Sequence, residues 1–364
     1  MKITPTTLQI SQLLGSDNEQ YVIPAYQRRY SWRWGQIADL WDDINVLENS
    51  ETHLLGTIVC LSSSHNAVLN QLELVDGQQR LTSISILLHR VLARLKMENQ
   101  TKQALKLEGM LYGESKTGGA VPKIQLESLD AAEYAAHAAG EDVQNPTNKH
   151  LANAFESFTD FLNDMDLDEV LEFLKKLLGQ ALIIRLDVSE AKDAFKLFET
   201  INSRGLRLSP ADNIKNYLLG NAARFGDSEL EFARQRWSEI TAHLDGGLVE
   251  NFFRQYLTQL HHKPITKTRV VESFKEAFRN MVEEAKSLPE TRYFEGVDDE
   301  EDDTEDEEKL AVASETDEDD EDADAGEWEI LSFRDFLIRI EQHARCYREI
   351  CFSCTGKAKL NRAS

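Results

Sequence analysis

Apolar residues recur at two spacings along the 364-residue chain, and each spacing predicts a different element. Alternating or continuous apolar runs predict strands over 21–30, 53–62, 71–75, 121–126 and 180–188, with a hairpin joining the second and third. Spacings of three and four predict helices over 34–47, 78–96, 131–139, 149–164, 167–178, 192–202 and 209–219. After position 221 the spacing is almost wholly helical, over 232–244, 248–260, 268–288 and 330–352.

This order of elements predicts an α+β fold with two domains. Residues 1–220 would hold a small mixed sheet with a helical insertion at about 99–179, and residues 221–364 would be mainly α-helical. The helix over 78–96 has a clear apolar face. Polar residues fill its other face, and they are Thr82, Ser83, Ser85, His89, Arg90 and Arg94.

The distribution of charge along the chain adds one feature to this predicted fold. The net charge of -24 argues against a protein that is positive all over its surface and grips duplex DNA everywhere. Residues 298–324 alone carry 18 Asp or Glu and one Lys, so the rest of the chain has a net charge of only -7. We interpret the acidic run as a disordered, self-repelling loop within the helical domain. A DNA-mimicking segment that occupies a basic cleft is the alternative.

Other features exclude several classes of protein. The N-terminus does not have the pattern of a signal peptide, and the longest apolar run, about eight residues, is too short to span a membrane. We therefore expect a cytoplasmic protein with reduced thiols. The spacing of His343, Cys346, Cys351 and Cys354 allows a zinc site, but only one C-x2-C pair is present and free thiols are the preferred interpretation.

The segment IPAYQRRYSWRW, residues 23–34, is the first of three with unusual chemistry. Its aromatic side chains can stack on bases, and its guanidinium groups can pair with phosphate. The residues concerned are Tyr26, Tyr30, Trp32 and Trp34, interleaved with Arg28, Arg29 and Arg33. The alternative is a core strand whose aromatic rings pack inward.

The second segment is LVDGQQRLTS, residues 74–83, in which a strand ends at an Asp-Gly pair and a helix opens at once. Gly77 permits a tight turn, and the unpaired N–H groups of the helix start favour an anion. Arg80 could contact phosphate, and Asp76 could hold a metal ion or orient a water. The alternative is an ordinary turn in which Asp76 caps the helix.

The third segment, residues 198–218, reads FETINSRGLRLSPADNIKNYL. Its first part is a polar turn that contains Asn202, Ser203 and Arg204 and closes at Gly205. Ser209-Pro210 then starts a helix, with Asp212 in its first turn and Lys215 and Asn216 one turn later. The segment is either a helix corner with capping residues or a second polar wall that faces Asp76.

In this order the three segments resemble the N-terminal domain of GmrSD-type modification-dependent restriction proteins, whose relatives include SspE-type defence proteins. The resemblance covers about residues 1–220 and continues more weakly to 352. It implies a ParB/sulfiredoxin-like fold and a role in defence against phage or other foreign DNA with modified bases or backbone. It also implies binding and hydrolysis of a nucleoside triphosphate with Mg²⁺, without distinguishing GTP, UTP, CTP and ATP.

The resemblance assigns roles to residues of this chain. Asp76 and Arg80 would be catalytic, with Asp76 also the metal ligand. Nucleotide binding would involve Gly77, Gln78, Gln79, Asn202, Arg204, Gly205 and Lys215. Sensing of DNA or its modification would involve Tyr26, Gln27, Arg28, Tyr30 and Trp32. Asp212 matches the same downstream motif as Lys215.

Two patterns are missing from the sequence. There is no Walker A run, so the nucleotide site would not be a P-loop. Family members usually continue into a His-Asn-His nuclease domain, and we find no such motif here. We therefore expect either that the nuclease lies on a separate subunit or that the chain is a truncated member of the family, and in both cases no DNA cleavage by this chain alone. The alternative function is a non-catalytic nucleotide- or DNA-binding module that regulates a partner protein.

Overall fold

The computed structural model describes residues 3–48, 51–62, 70–114, 119–202, 209–244, 248–287 and 328–360. The side chains of 114, 202 and 352–360 are not described. The acidic run at 298–324, which we interpret as a disordered loop, therefore lies outside the described residues.

Within the described residues, eight strands form two sheets. They are β1 (Ile3–Gln9), β2 (Glu19–Ile23), β3 (His53–Ser62), β4 (Asn70–Asp76), β5 (Tyr112–Glu114), β6 (Ala120–Pro122), β7 (Ile124–Leu126) and β8 (Ala181–Val188). Six of them make a mixed sheet in the order β1-β8-β3-β4-β2-β7, and β5 pairs with β6. In the six-stranded sheet, β1–β8 and β3–β4 are antiparallel and the other pairs are parallel.

Helices surround this sheet. They are α1 (Ile10–Leu13), α2 (Trp34–Asn45), α3 (Gln78–Met97), α4 (Thr101–Leu111), α5 (Ala131–Ala139), α6 (Lys149–Asn163), α7 (Leu167–Gly179), α8 (Ala191–Asn202), α9 (Pro210–Phe225), α10 (Asp227–His243), α11 (Leu248–His261), α12 (Val270–Met281) and α13 (Phe333–Leu360). A short 3-10 helix, Glu283–Ser287, follows α12. The small mixed sheet with many helices confirms the predicted α+β class.

The two faces of the sheet belong to two apolar cores. Alternate residues of a strand point to opposite faces. Ile58 and Leu74 pack with helices α2 to α7, whereas Val59 and Val75 pack with helices α8 to α13. The second core therefore joins sheet residues to helices on both sides of position 220.

Local differences from the predicted elements have physical causes. The strand predicted over 21–30 ends at Ile23, and Pro24, which has no N–H to donate to a neighbouring strand, follows it. The strand predicted over 121–126 is two strands in two sheets, β6 and β7, with the buried Lys123 between them. The helix predicted over 268–288 ends at Met281 because Val282 is extended and forms a bridge to Leu331.

Helix α3 is buried on more sides than its amphipathic pattern predicts. Thr82, Ser83, Ser85 and His89 are all buried. Their polar atoms have partners inside the protein: the Ser83 hydroxyl donates to the Gln79 carbonyl, and the Ser85 hydroxyl lies 2.6 Å from that of Tyr134. Small hydroxyl side chains with internal hydrogen bonds can be buried at little cost, so the polar face of α3 is part of the core.

In the part of the chain that the structure describes, each helix is either too short or too polar to span a membrane.

The packing of α2 on α7 gives a test of the first core. The ring of Trp41 is buried and stacks on Phe173 with the ring centroids 4.2 Å apart, whereas Trp34, on the same helix, is 67% exposed. We expect Trp41→Ala to lower the free energy of unfolding by about 3–5 kcal/mol, because it leaves a cavity in the core. Trp34→Ala is the matched control and should change it by less than about 0.5 kcal/mol. Urea unfolding measures both, and equal effects would contradict this packing.

Candidate functional site

The turn between β4 and α3 forms the first wall of the candidate site. Gly77 has a left-handed backbone, with φ of +88°, and a Cβ at this position would lie 2.6 Å from Cγ2 of Ile58. Only glycine meets both conditions without strain. Gly77 is also the residue that caps α3, and no side chain makes a cap hydrogen bond there. The alternative in which Asp76 caps the helix is therefore wrong, and the helix start keeps backbone N–H groups without a side-chain cap.

Asp76 and Arg80 lie on either side of this turn. The Arg80 guanidinium donates to the Thr57 carbonyl at 3.1 Å and covers Gly56, where a Cβ would be only 2.8 Å from its central carbon. Burial raises the pKa of Asp76, while the Gly77 N–H and the charges of Arg80 and Lys215 act against this rise. Burial lowers the pKa of Arg80, and Asp76 opposes that shift.

The second wall is the first turns of α9. Asp212 receives a hydrogen bond from the Ser209 hydroxyl at 2.9 Å and lies 3.5 Å from the Lys215 ammonium and 3.6 Å from the Arg28 guanidinium. Burial acts to raise the pKa of Asp212, but these two cations outweigh it and hold the pKa below its usual range. Burial lowers the pKa of Lys215, which Asp212 partly offsets.

Gln27 joins the two walls. Its amide nitrogen donates to the carbonyls of Leu74 and Val75, at 3.1 and 3.0 Å, just before Asp76. Its amide oxygen accepts from the Lys215 ammonium at 2.6 Å. The structure thus brings Asp76, Gln27 and Lys215 to one place, and the charges of Lys215 and Asp212 act on Asp76.

The two glutamines after Gly77 have different surroundings. Gln79 holds the loop after Pro24, because its oxygen accepts from the Ser31 N–H at 2.7 Å and its nitrogen donates to the Arg29 carbonyl. Gln78 is buried, and its amide oxygen has no hydrogen-bond partner among the described residues. Gln79 is therefore committed to the protein, whereas Gln78 keeps an acceptor without a partner.

The tyrosines of the segment over 23–34 face inward. Tyr26 is buried in the second core and donates to Glu73 at 2.6 Å, with the Arg234 guanidinium 5.5 Å from its ring centre. Tyr30 is buried in the first core, with its hydroxyl 2.7 Å from that of Ser83. The core alternative thus describes both side chains, and their placement gives no support to a direct contact with DNA.

Other members of this segment reach the surface. Trp32 is partly buried and packs against the first core. Arg28 is 46% exposed, and Arg33 and Trp34 are exposed. Arg28 therefore presents a partly exposed cation next to Asp212, and the exposed Arg33 and Trp34 follow it closely in sequence.

Three of the predicted nucleotide-binding residues lie at the end of a described range or outside the described residues. Asn202 is the last residue of α8 and its side chain is not described, while Arg204 and Gly205 lie outside the described residues.

Two of the residues whose spacing would allow a zinc site can be examined. Cys346 is exposed, and the His343 ring forms a hydrogen bond with the Arg339 carbonyl. Within the described ranges no three His, Cys, Asp or Glu side chains form a group that could hold a metal.

Sequence reasoning missed two structural residues of the site. Gly56 leaves room for the Arg80 guanidinium, because it has no side chain there. A glycine within a strongly apolar strand often marks a close approach of other atoms to the strand, and this pattern could have indicated Gly56. Arg234 on α10 binds Glu73 at 2.5 Å and covers Tyr26. It lies 161 positions from Glu73, and no local pattern could have indicated the pair.

A mixed sheet that delivers a carboxylate to a glycine turn, with a charged helix opposite, defines an α+β domain with a candidate anion site. Residues 10–219 match the family model for the GmrSD restriction endonuclease, N-terminal domain. The match covers more than half of the chain and includes both walls, so the chain belongs to this family of restriction proteins. None of the curated proteins compared with the chain matches it.

The backbone at Gly77 gives a test of the turn. We expect Gly77→Ala to lower the free energy of unfolding by about 1–3 kcal/mol for the left-handed backbone, and by more for the clash with Ile58. Gly140→Ala is the matched control, because Gly140 has a φ of +82° with open space around its Cβ position. A Gly77→Ala loss no larger than that of Gly140→Ala in urea unfolding would contradict the close approach to Ile58.

The depressed pKa of Asp212 predicts a pH-dependent loss. The stability that its ionised form contributes is present above the ordinary carboxyl pKa of about 3.9 and is lost as the pH falls through the depressed value. At pH 7, Asp212→Asn should lower the free energy of unfolding by about 3–5 kcal/mol, since it leaves Lys215 buried without its counter-ion. The deficit relative to wild type should shrink toward pH 3.

Urea unfolding at both pH values measures this difference. Asp43→Asn is the control, because Asp43 is exposed and its ion pair with His53 lies at the surface. It should cost less than about 1 kcal/mol at either pH. A deficit for Asp212→Asn that is the same at pH 7 and pH 3 would rule out the charge as its cause.

Proposed function

We propose that the chain is the nucleoside triphosphate-binding and hydrolysing sensor of a modification-dependent restriction system that acts against phage DNA. A nuclease that acts with this sensor is the proposed protein partner. The observation that carries the proposal is the Asp76–Gly77 turn at the start of α3, opposed across the site by Asp212 and Lys215.

The chemistry of phosphoryl transfer suits these groups. It requires positioning and charge neutralisation more than covalent catalysis by the protein. The uncapped N–H groups at the start of α3 favour an anion, and the charges of Arg80, Lys215 and Arg28 add to that preference. The burial of Lys215 and the partial burial of Arg80 make these two charges more effective than they would be in water.

Asp76 fits the magnesium ion that the family resemblance implies. Mg²⁺ is commonly held by one or two carboxylates together with substrate phosphates. Asp76 would be that carboxylate, since Asp212 is already bound by Ser209, Lys215 and Arg28. The ion would neutralise phosphate charge when bound. The raised pKa of Asp76 also suits a group that orients or deprotonates a water.

The position of Gln27 supports a link between DNA and turnover. Arg28 presents a partly exposed guanidinium, and the residue before it supports both Asp76's strand and Lys215. Arg33 and Trp34 lie nearby in sequence. A DNA phosphate bound by Arg28 would therefore change the surroundings of the bound nucleotide. Modified DNA is the proposed partner, and Tyr26 and Tyr30 would support this surface from within.

Phosphate release tests the proposal directly. Purified protein with Mg²⁺ and each of ATP, GTP, CTP and UTP should release phosphate from at least one, with a rate that changes when modified DNA is added. Asp76→Asn and Arg80→Ala should each lower the rate about 100-fold or more. Arg269→Ala is the control, because Arg269 is exposed and its ion pair is with Glu272, three residues further along the chain.

Two outcomes would overturn the proposal. Release that continues unchanged in both variants would show that the reaction occurs elsewhere. Tight nucleotide binding without any release, with DNA present, would favour the regulatory module that does not hydrolyse its ligand.

A further inference from the structure

Asn216 is a buried side chain whose polar atoms are all without partners. It is only 6% exposed, and neither its amide nitrogen nor its amide oxygen has a hydrogen-bond partner among the residues that the structure describes. Burying a carboxamide in this state is unfavourable, so such a group in a folded protein requires an explanation.

Other buried asparagines of the chain do not share this property. Asn148 donates to the Tyr30 carbonyl and to Asp130, and its oxygen accepts from two N–H groups at the start of α6. Asn221, on the same helix as Asn216, donates to the Tyr217 carbonyl at 2.9 Å. The unmet hydrogen-bonding capacity is therefore a local feature of Asn216.

Asn216 lies on the face of α9 that carries the charged wall of the candidate site. Residues four apart on a helix share a face, so Asn216 lies beside Asp212, which forms the charged wall with Lys215. One turn further, a Cβ at Gly220 would lie 3.4 Å from Cβ of Phe195, where α9 packs closely on α8. Asn216 thus stands between the charged wall and this apolar contact.

The unmet atoms restrict the chemistry of a ligand. An ionised phosphate presents mainly acceptors and at most a single P–OH donor near neutral pH, so it would not satisfy both the oxygen of Asn216 and the unpartnered oxygen of Gln78 at the start of α3. The surrounding cations nevertheless favour a negative charge. A ligand that has both phosphates and an edge with donors and acceptors meets all of these conditions, and a nucleotide is such a ligand.

We infer that Asn216 recognises the nucleobase of the nucleotide, its carboxamide pairing with a donor and an acceptor on the edge of the base. Asparagine pairs with base edges in this two-point way in other proteins. The inference rests on the proposed function, which supplies the nucleotide. It adds a specificity residue that lies outside the turn and does not act on the phosphates.

The test compares a nucleotide with a ligand that has no base. Affinities are measured for tripolyphosphate and for the imido analogues of the four ribonucleoside triphosphates, each with Mg²⁺, on the full chain. In wild type, at least one nucleotide should bind more tightly than tripolyphosphate. Asn216→Leu should weaken that nucleotide about tenfold or more, toward the affinity of tripolyphosphate, and should leave tripolyphosphate binding unchanged.

Melting temperature supplies a second measurement, and Asn221→Leu is the matched control. Without ligand, Asn216→Leu should melt at the wild-type temperature or above, because it removes unpaired polar atoms from the interior while keeping the size of the side chain. Asn221→Leu removes a hydrogen-bonded group and should melt lower, with the nucleotide preference of wild type.

The results separate the inference from the proposed function. If neither tripolyphosphate nor any nucleotide binds wild type, both are overturned. If wild type binds nucleotide and tripolyphosphate equally, or if Asn216→Leu weakens the two alike, only the role in reading the base is overturned. Should Asn216→Leu fail to fold, Asn216→Asp replaces the donor by an acceptor at nearly the same size. It should change the order of preference among the four nucleotides, and an unchanged order would overturn the inference.

Discussion

The hydrogen bonds of Gln27 are the interaction on which the candidate site depends. Strand β2 pairs with β4 only as far as Glu73, so the last residues of β4 extend beyond their neighbour on that side. There the amide nitrogen of Gln27 donates hydrogen bonds to the carbonyls of Leu74 and Val75, and its amide oxygen accepts a hydrogen bond from the Lys215 ammonium. One side chain therefore fixes the end of the strand that carries Asp76 and draws α9 toward it. Without it, two buried carbonyls and a buried ammonium would each lose a partner.

The charged groups around Gln27 include two cations, Lys215 and Arg28, and the carboxylate of Asp212, which contacts both. Lys215 is buried almost completely, and an isolated buried ammonium would lose its proton. Asp212 partly offsets this effect of burial on the pKa of Lys215, and Arg28 in turn helps to keep Asp212 ionised. A buried ion pair of this kind contributes little net stability compared with apolar packing, since desolvation offsets the attraction. In the proposed function, its place beside an uncapped helix start would serve the binding of a negatively charged ligand rather than stability.

Local features of this site could be predicted from sequence, and long-range ones could not. The turn at Gly77 and the start of α3 follow from residues within a few positions of each other, and the structure has both. The bond from Gln27 to Lys215 spans 188 positions and depends on how α9 packs on the sheet. Helix α3 shows the same limit, because the burial of Ser85 depends on Tyr134, which comes from another helix. The half-exposed edge strand β1 gave no apolar alternation from which to predict it. Local turns and helix starts were therefore easier to predict than the long-range contacts that bring residues together.

The segment from Tyr26 to Tyr30 explains how binding at the surface could reach the nucleotide. Tyr26 belongs to the core on one face of the sheet and Tyr30 to the core on the other, so the segment is held at both ends. Between them, Gln27 points to the turn and Arg28 reaches solvent while it contacts Asp212. In the proposed function, a DNA phosphate competes with Asp212 for the Arg28 guanidinium. When DNA takes Arg28, Lys215 is the cation that stays against Asp212 among the described residues, and this favours a shift of the ammonium away from Gln27 toward the carboxylate. Both ends of the segment are fixed, so movement of the loop would not absorb this shift of Lys215 away from Gln27. The shift would instead affect the end of β4, which Gln27 supports, and with it Asp76.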